Sequence, residues 1–241
     1  MLNFKGEVYG SMELISIIMP IYNSSETLTK AIDSCLHQKY PDTEIILVND
    51  GSDVETTKII KDYEERYSSI IKVVNQHHQG ILQARLNGLK HASGTYVTFV
   101  DSDDYINRVY LYELMYAKRY SDADIVLGKM NYVKNALITD ASKVYPNEFK
   151  ISDDPKFLLT IDSCLNGKLF KRKKLVLPNY KLSVNETLPS LYYYLCQEDK
   201  ICFSNFSKYY ITSHKNGTDS IFNSNLSSVE GIIRPLDIMY N

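Results

Sequence analysis

Short apolar runs that end in polar residues set the pattern of the amino-terminal half. Leu14 to Met19 is broken by Pro20-Ile21-Tyr22-Asn23, Glu44 to Val48 ends in Asn49-Asp50-Gly51-Ser52-Asp53, and Thr95 to Val100 ends in Asp101-Ser102-Asp103-Asp104. A further run, Ile70 to Val74, leads into the polar loop Asn75-Gln76-His77-His78-Gln79-Gly80. Runs of this kind predict buried strands of a parallel sheet. Between them the period becomes helical. Leu28, Ala31, Ile32, Cys35 and Leu36 form one apolar face behind a cap at Ser24 or Ser25, and Pro41 ends that helix. Asp53 is placed to cap a second helix, which buries Ile60, Tyr63 and Tyr67. A third carries Leu82, Leu86 and Leu89 on one side, with Arg85 in its first turns and Ser93-Gly94 at its end. A fourth runs from about Arg108 to Tyr120, and Asp124 to Leu127 reads as a fifth strand.

Strand and helix alternating at this spacing predict an α/β fold, a doubly wound, mostly parallel sheet with helices on both faces. Ligands of such sheets bind outside the carboxyl ends of the strands, where Tyr22, Asp50 and Asp101 all fall. Past Gly128 the pattern loosens. Asn131 to Asp154 reads as loops with short strands, Lys168-Leu169-Phe170 as a strand, and Thr187 to Gln197 as a helix with Leu188, Leu191 and Leu195 on one face. Ile201 to Phe206 and Lys208 to Thr212 read as two short strands. Residues 1–11 are patternless, with Met12 a candidate natural start and the earlier residues a leader or artificial extension. One domain is expected over residues 12–225, and residues 226–241 begin a helical region that more sequence would continue.

Composition narrows this picture only a little. At 241 residues, 44% hydrophobic and 23% charged, the chain is an ordinary globular protein able to bury a full core. A net charge of -2 gives no reason to expect a nucleic-acid partner. The basic cluster Lys168, Lys171, Arg172, Lys173, Lys174 is local and reads as a solvated loop or helix start. The four cysteines, Cys35, Cys164, Cys196 and Cys202, lack metal or redox spacing, so buried thiols of a reducing compartment are expected, with Cys35 and Cys196 on apolar helix faces. No apolar run reaches the roughly 20 residues of a membrane span. No signal-peptide pattern opens the chain, and a cytoplasmic location is expected.

The chemistry-bearing residues gather at the predicted ligand edge. Asp101, Asp103 and Asp104 would repel one another unless a cation relieved them, and hard oxygen ligands suit Mg²⁺ or Mn²⁺ bridging to a substrate's phosphates. A helix cap by Asp103 or Asp104 is the simpler alternative. Asp50, beyond strand two, stands where an acidic residue accepts from a ribose or base. Tyr22 and Asn23 face the same crevice, where Tyr could stack on a base, though Tyr22 as a core residue is the competing reading. Arg85 at a helix start favours an anion such as a diphosphate, against a surface salt bridge. His77 and His78 are adjacent, their side chains diverge, and they read as loop residues.

Four segments together resemble a known family. Pro20-Ile21-Tyr22-Asn23, Val48-Asn49-Asp50-Gly51-Ser52, Gln79-Gly80-Ile81 with Ala84-Arg85-x-Asn87-Gly88-Leu89, and Phe99-Val100-Asp101-Ser102-Asp103-Asp104 are similar, in order and spacing, to family 2 inverting glycosyltransferases of the GT-A fold. The resemblance spans Met12 to about Ile221. Asn166-Gly167-Lys168-Leu169-Phe170 resembles the family's later Asn-Lys-Leu-Phe element with Gly167 inserted, and Tyr209 to Ile221 resembles its closing strand.

The resemblance implies a nucleotide-sugar donor, most often a uridine diphosphate sugar, moved to a hydroxyl of a bacterial surface glycan, glycolipid or glycoprotein. It implies that Pro20, Tyr22, Asn23, Asp50, Gly80, Arg85, Asp101 and Ser102 lie along the nucleotide sugar. Asp50 would read the nucleoside, Asp101 would lie near ribose or sugar, and Asp103 would hold Mn²⁺ or Mg²⁺, with His214 a second candidate ligand beside its reading as an ordinary strand histidine. The family's base is a late carboxylate, usually the Asp of a Glu-Asp pair. This chain has Asn185-Glu186 there, so Glu186 is the candidate base and a catalytically impaired scaffold is the alternative. With no Trp and no span, the chain lacks the features of processive synthases, which favours single additions. A peripheral membrane contact through further carboxyl-terminal sequence also fits. A nucleotidyltransferase would need a Gly-rich triphosphate loop after strand one, and a dinucleotide oxidoreductase a Gly-x-Gly-x-x-Gly; Ser24-Ser25-Glu26 supplies neither.

Overall fold

A computed structural model describes residues 12–121, 123, 125–134, 137–140, 148–150, 164–177 and 200–212. The first half follows the hydrophobic pattern. β1 is Ile15–Ile21, α1 Leu28–Leu36, β2 Thr43–Asp50, α2 Val54–Arg66, β3 Ile71–Gln76, α3 Ile81–His91 and β4 Tyr96–Phe99. After the short β5 (Tyr105–Ile106) come α4 (Tyr110–Ser121), β6 (Ile125–Lys134), β7 (Leu137–Asp140), β8 (Glu148–Lys150), β9 (Lys168–Lys171) and β10 (Lys200–Thr212). One sheet runs β3-β2-β1-β4-β9-β6-β10-β5, with β7 on β6 and β8 on β10. The β3-β2-β1-β4 half is parallel throughout.

β1 shows why its sequence is apolar at nearly every position. Ile15, Ile17, Met19 and Ile21 enter one core with Leu28, Ala31 and Ile32 of α1, Ile60 of α2 and Leu111 of α4. Ile18 enters the other core with Val48 of β2 and Leu82 and Ala84 of α3. A strand covered by helices on both faces has no polar side to display. On α3 the buried positions are Leu82, Ala84, Arg85 and Gly88, whereas Leu86 and Leu89 are only partly buried. A Cβ on Gly88 would run into Ile18 Cγ2, so the missing side chain sets how closely α3 sits on the sheet.

The second half departs from the simple alternation. β6 is not the next neighbour of β4, because β9 lies between them and is antiparallel to both. The two short strands expected after residue 200 are one strand, β10, whose register against β6 shifts between Ser204 and Lys208. The lysine cluster also divides. Lys168 is 1% exposed on β9 with its Nζ 3.3 Å from the Asn166 carbonyl, so it is not part of a solvated loop, while Lys173 is exposed. Cys35 and Cys202 are buried free thiols and Cys164 is half-buried. Burial pushes Cys35 up to about 12, which suits an inert core thiol. The expected helix at Thr187 to Gln197, Cys196, and the segments 1–11 and 226–241 lie outside the described residues. Among the described residues no helix is long and apolar enough to cross a membrane.

Candidate functional site

The loops after β1, β2 and β4 are bonded to one another through side chains, which makes one edge of the sheet a continuous surface. Asn23, the one non-glycine residue with positive φ among the described residues (φ 48), turns the chain out of β1. Its Oδ1 accepts from the Asp53 amide at 2.8 Å, and its own amide donates to Ser52 Oγ at 3.3 Å. Asn23 therefore ties the first loop to the second, and its side-chain oxygen is committed to backbone. Ser24 does not cap α1. Its Oγ lies 2.7 Å from Ser102 Oγ, and Thr27, the residue at the cap position, donates from Oγ1 to the Ser102 carbonyl at 2.9 Å. Ser102 is thereby buried as a tie between the β1 and β4 loops. Asp53 caps α2 as its position predicts, accepting from the Thr56 amide at 2.8 Å. Pro20 is buried inside β1, paired in register with Val48.

Asp50 closes β2 and is 2% exposed. Oδ1 accepts from Gln76 Nε2 at 2.7 Å and from the Gln79 amide at 2.8 Å, and Oδ2 accepts from the Gly80 amide at 2.9 Å. His78 Nδ1 lies 2.9 Å from Oδ2. Asn87 of α3 donates to Gln76 Oε1 at 2.9 Å and so fixes the glutamine that holds Asp50. One carboxylate thus folds the whole loop between β3 and α3 onto the end of β2. Gly80 (φ 92) adopts a conformation that points its N–H at Asp50, and Gly51 (φ 73) clears the way for the His78 backbone. The His78 ring stacks on Tyr22, with centroids 3.9 Å apart and planes 21° from parallel. Tyr22 is 47% exposed and is not a core residue. His78 was legible only as a loop residue, because nothing in a pair of adjacent histidines shows that one meets Tyr22, far earlier in the chain.

The carboxylates after β4 have three different environments. Asp101 accepts from Arg85 Nη2 at 2.7 Å and from Asn166 Nδ2 at 2.5 Å, one bond to each oxygen, and Arg85 also donates to Asn166 Oδ1 at 3.1 Å. Arg85 is 4% exposed and lies 5.8 Å from the Phe99 ring centroid. It is a buried clamp on Asp101, not the open anion contact that a helix-start arginine predicts and not a surface pair. Asp104 is also buried. It accepts from Tyr209 Oη at 2.8 Å and from the Thr212 amide at 2.9 Å, so it fastens β10 to the turn and does not cap α4. Burial, then the charges of Asp101 and Asp103, raise its carboxyl well above the usual carboxylate range. The same Tyr209 hydroxyl accepts the Asp101 amide at 3.1 Å. Asp103 alone of the three is exposed at this edge.

The donor set bears on a metal. Among the described residues no three His, Cys, Asp or Glu side chains converge. One exposed carboxylate beside a second held in place fits Mg²⁺ or Mn²⁺, which take one or two protein carboxylates and complete their shell with water and substrate phosphates. Glu186 and His214 lie outside the described residues.

The chain resembles known proteins. The chain is 42% identical over 113 residues to an uncharacterized glycosyltransferase, EpsJ, of Bacillus subtilis, covering 47% of this chain and 33% of that protein. It is 28% identical over 208 residues to the poly(ribitol-phosphate) beta-glucosyltransferase of Bacillus spizizenii, covering 84% of this chain and again 33% of the relative. The chain therefore spans about a third of the length of each of these curated relatives. The crystal structure of residues 1–349 of S. aureus TarS in complex with UDP superposes with a TM-score of 0.67 at 25% identity, over 84% of this chain and 61% of that one. Its GT-A fold is the fold seen here. The family model described as glycosyl transferase family 2 matches residues 16–175, a range that begins in β1 and ends just beyond β9, takes in Tyr22, Asp50, Arg85, Asp101 and Asn166, and shows that this chain belongs to that family.

Proposed function

We propose that this chain binds a UDP-sugar along the edge formed by Tyr22, Asp50, Asp101 and Asp103, and transfers the sugar, with inversion, to an acceptor hydroxyl. The observation that carries the reading is the side-chain bonding of the β1, β2 and β4 loops, which holds an exposed aromatic ring, a fixed acceptor and an exposed carboxylate on one rim. Membership of the family and the UDP complex of TarS support the donor class. The poly(ribitol-phosphate) relative supports a cell-surface polymer as acceptor, and we place the reaction on the cytoplasmic side.

Each residue has a distinct part. Tyr22 offers a face to the base, and Asp50 an acceptor for a base N–H. Asp101, immobilised by Arg85 and Asn166, orients the ribose or the sugar. Fixing such an acceptor before the substrate arrives avoids reorganisation during the reaction. Asp103 would hold Mg²⁺ or Mn²⁺, with His214 as a further candidate, and the cation would supply charge stabilisation to the leaving diphosphate. Glu186 takes the proton from the acceptor hydroxyl, a role worth roughly 10²–10⁴-fold in rate.

The test is transfer and donor hydrolysis with a panel of UDP-sugars, with Mn²⁺, with Mg²⁺ and with chelator. Turnover with one donor, lost on chelation and lost in Glu186→Gln, supports the full reading. Saturable UDP-sugar binding without turnover would leave a binding domain and remove the catalyst. Absence of any nucleotide binding would overturn it.

A further inference from the structure

Asp50 and Tyr22, the two groups assigned to the base, are both already engaged by the same side chain. His78 places its ring on the face of Tyr22 and its Nδ1 2.9 Å from Asp50 Oδ2. A carboxylate only accepts, so Nδ1 carries the hydrogen. The imidazole thus presents a flat ring to Tyr22 and a ring N–H to Asp50, which are the two things a uracil base would present.

Asp50 has no room for one more donor. Its two oxygens take four donors, from Gln76, His78 and the Gln79 and Gly80 amides. The two amides belong to the loop backbone, and Gln76 is held in turn by Asn87. His78 is the donor most able to leave, because its side chain is 52% exposed while Asp50 is 3%. Its backbone stays put when the ring moves, since Gly51 packs under it: a Cβ there would lie 2.8 Å from His78 N.

We infer that His78 is a displaceable placeholder for the nucleobase, so that a base bearing a ring N–H enters by exchanging with the imidazole on Tyr22 and Asp50. The inference rests on the nucleotide-sugar reading above and adds a specificity element to it. A base that lacks the ring N–H, such as cytosine, would set an N3 lone pair against the Asp50 carboxylate where the imidazole had placed an N–H, with only its exocyclic amine, one atom further out, left to donate. The placeholder lowers apparent affinity by the fraction of molecules in which the slot is open, a cost that its removal lifts.

Two measurements on the full chain test this with UDP as probe. In NMR, the His78 Cε1–H resonance, identified by its loss in His78→Gln, is expected upfield in the free protein from the Tyr22 ring current, and to move to an unstacked position saturably with UDP. In calorimetry, His78→Ala is expected to bind UDP about three- to tenfold more tightly than wild type, and Tyr22→Ala more weakly. UDP binding that leaves the His78 resonance upfield, or a His78→Ala variant with unchanged or weaker binding, overturns the placeholder while leaving the nucleotide site standing. UDP that binds neither wild type nor His78→Ala overturns both.

Discussion

Arg85 on α3 donates from Nη2 to Asp101 Oδ1 across 2.7 Å, in a pair whose guanidinium is 5% exposed and whose carboxylate is 19% exposed. The carboxylate edge of the site is thereby anchored to the helix under the opposite face of the sheet. Asn166, from the loop before β9, completes the clamp through Asp101 Oδ2. Removing one partner of a buried pair leaves the other charge poorly solvated. Arg85→Ala is expected to lose about 2–4 kcal/mol in urea unfolding, somewhat below the fully buried range because Asp101 retains some contact with water. Arg85→Lys is expected to recover only part of this, because Nη2 alone makes both bonds, to Asp101 and Asn166, and an ammonium on a shorter, non-planar stem must reach that same point in a buried site without the guanidinium plane that packs near Phe99.

Glu44 makes the protein's acid stability predictable. It lies at the amino end of β2, away from the site. Burial opposes its charge, but donors from Lys72 at 2.6 Å, Ser16 at 2.7 Å and the Ser93 amide and hydroxyl at 2.6 and 2.8 Å outweigh that and hold its carboxyl at about 2 against an ordinary 4.5. A lowered folded value means the stabilisation is present above pH 4.5 and is lost as pH falls from 4.5 toward 2. The interval corresponds to roughly 3 kcal/mol. Glu44→Gln should lose on the order of 2–3 kcal/mol at pH 7 and unfold with a flatter pH dependence between pH 4.5 and 2. Lys72→Met should lose under about 1 kcal/mol, since the lysine is half-exposed. Denaturant titrations at pH 7 and pH 3 separate the three proteins. Equal acid sensitivity of Glu44→Gln and wild type would remove Glu44 from the account.

Two glycines separate stability from binding. Gly88→Ala drives a Cβ into Ile18 Cγ2 and against Val48 Cγ2 at 3.1 Å, inside a core that cannot yield. Overpacking of this kind costs about 1–3 kcal/mol, and the Tyr22 and Asp50 groups are untouched. Gly51→Ala meets the His78 backbone and must also hold φ near 73. It is expected to cost about 1–3 kcal/mol and to weaken UDP binding by displacing the loop that Asp50 organises. Melting temperature and UDP affinity, measured on both, should move together for Gly51→Ala and apart for Gly88→Ala.

These relationships differ in how far the sequence reveals them. β1, β2 and β4 are legible because strands covered on both faces are largely apolar and the helices between them keep a 3.6-residue period. The edge residues are legible because they follow those strands. What each side chain touches is not. Arg85 reads as an anion contact and Asn166 as part of a motif, and only the fold shows that they share Asp101. β9 is visible as the short run Lys168-Leu169-Phe170, but its place between β4 and β6 depends on pairings such as Val97 with Phe170 and Val126 with Leu169, far apart in the chain. Lys168 reads as solvated because charge is judged from neighbours in sequence, whereas its position on β9 buries it.

Asp103 and Asp104 are adjacent in sequence and are expected to fail in opposite ways. Asp103 is exposed at the edge, and it is the proposed cation ligand. Asp103→Ala should leave the melting temperature near wild type and reduce metal-dependent transfer by on the order of 10²-fold or more, since the cation contributes several kcal/mol at the leaving group. Asp104 is buried against β10, where Tyr209 and the Thr212 amide donate to it. Asp104→Ala leaves that hydroxyl and that amide without their acceptor, at about 1–3 kcal/mol. It also releases the Tyr209 hydroxyl that receives the Asp101 amide, so activity falls as a consequence of lost order. Asp104→Asn keeps one of the two acceptor oxygens without the charge that burial disfavours, and should lose less stability than Asp104→Ala. Added Mn²⁺ should raise the melting temperature of Asp104→Asn in the presence of UDP but not that of Asp103→Ala. If Asp103→Ala kept both the shift and metal-dependent transfer, the cation would have to be held elsewhere.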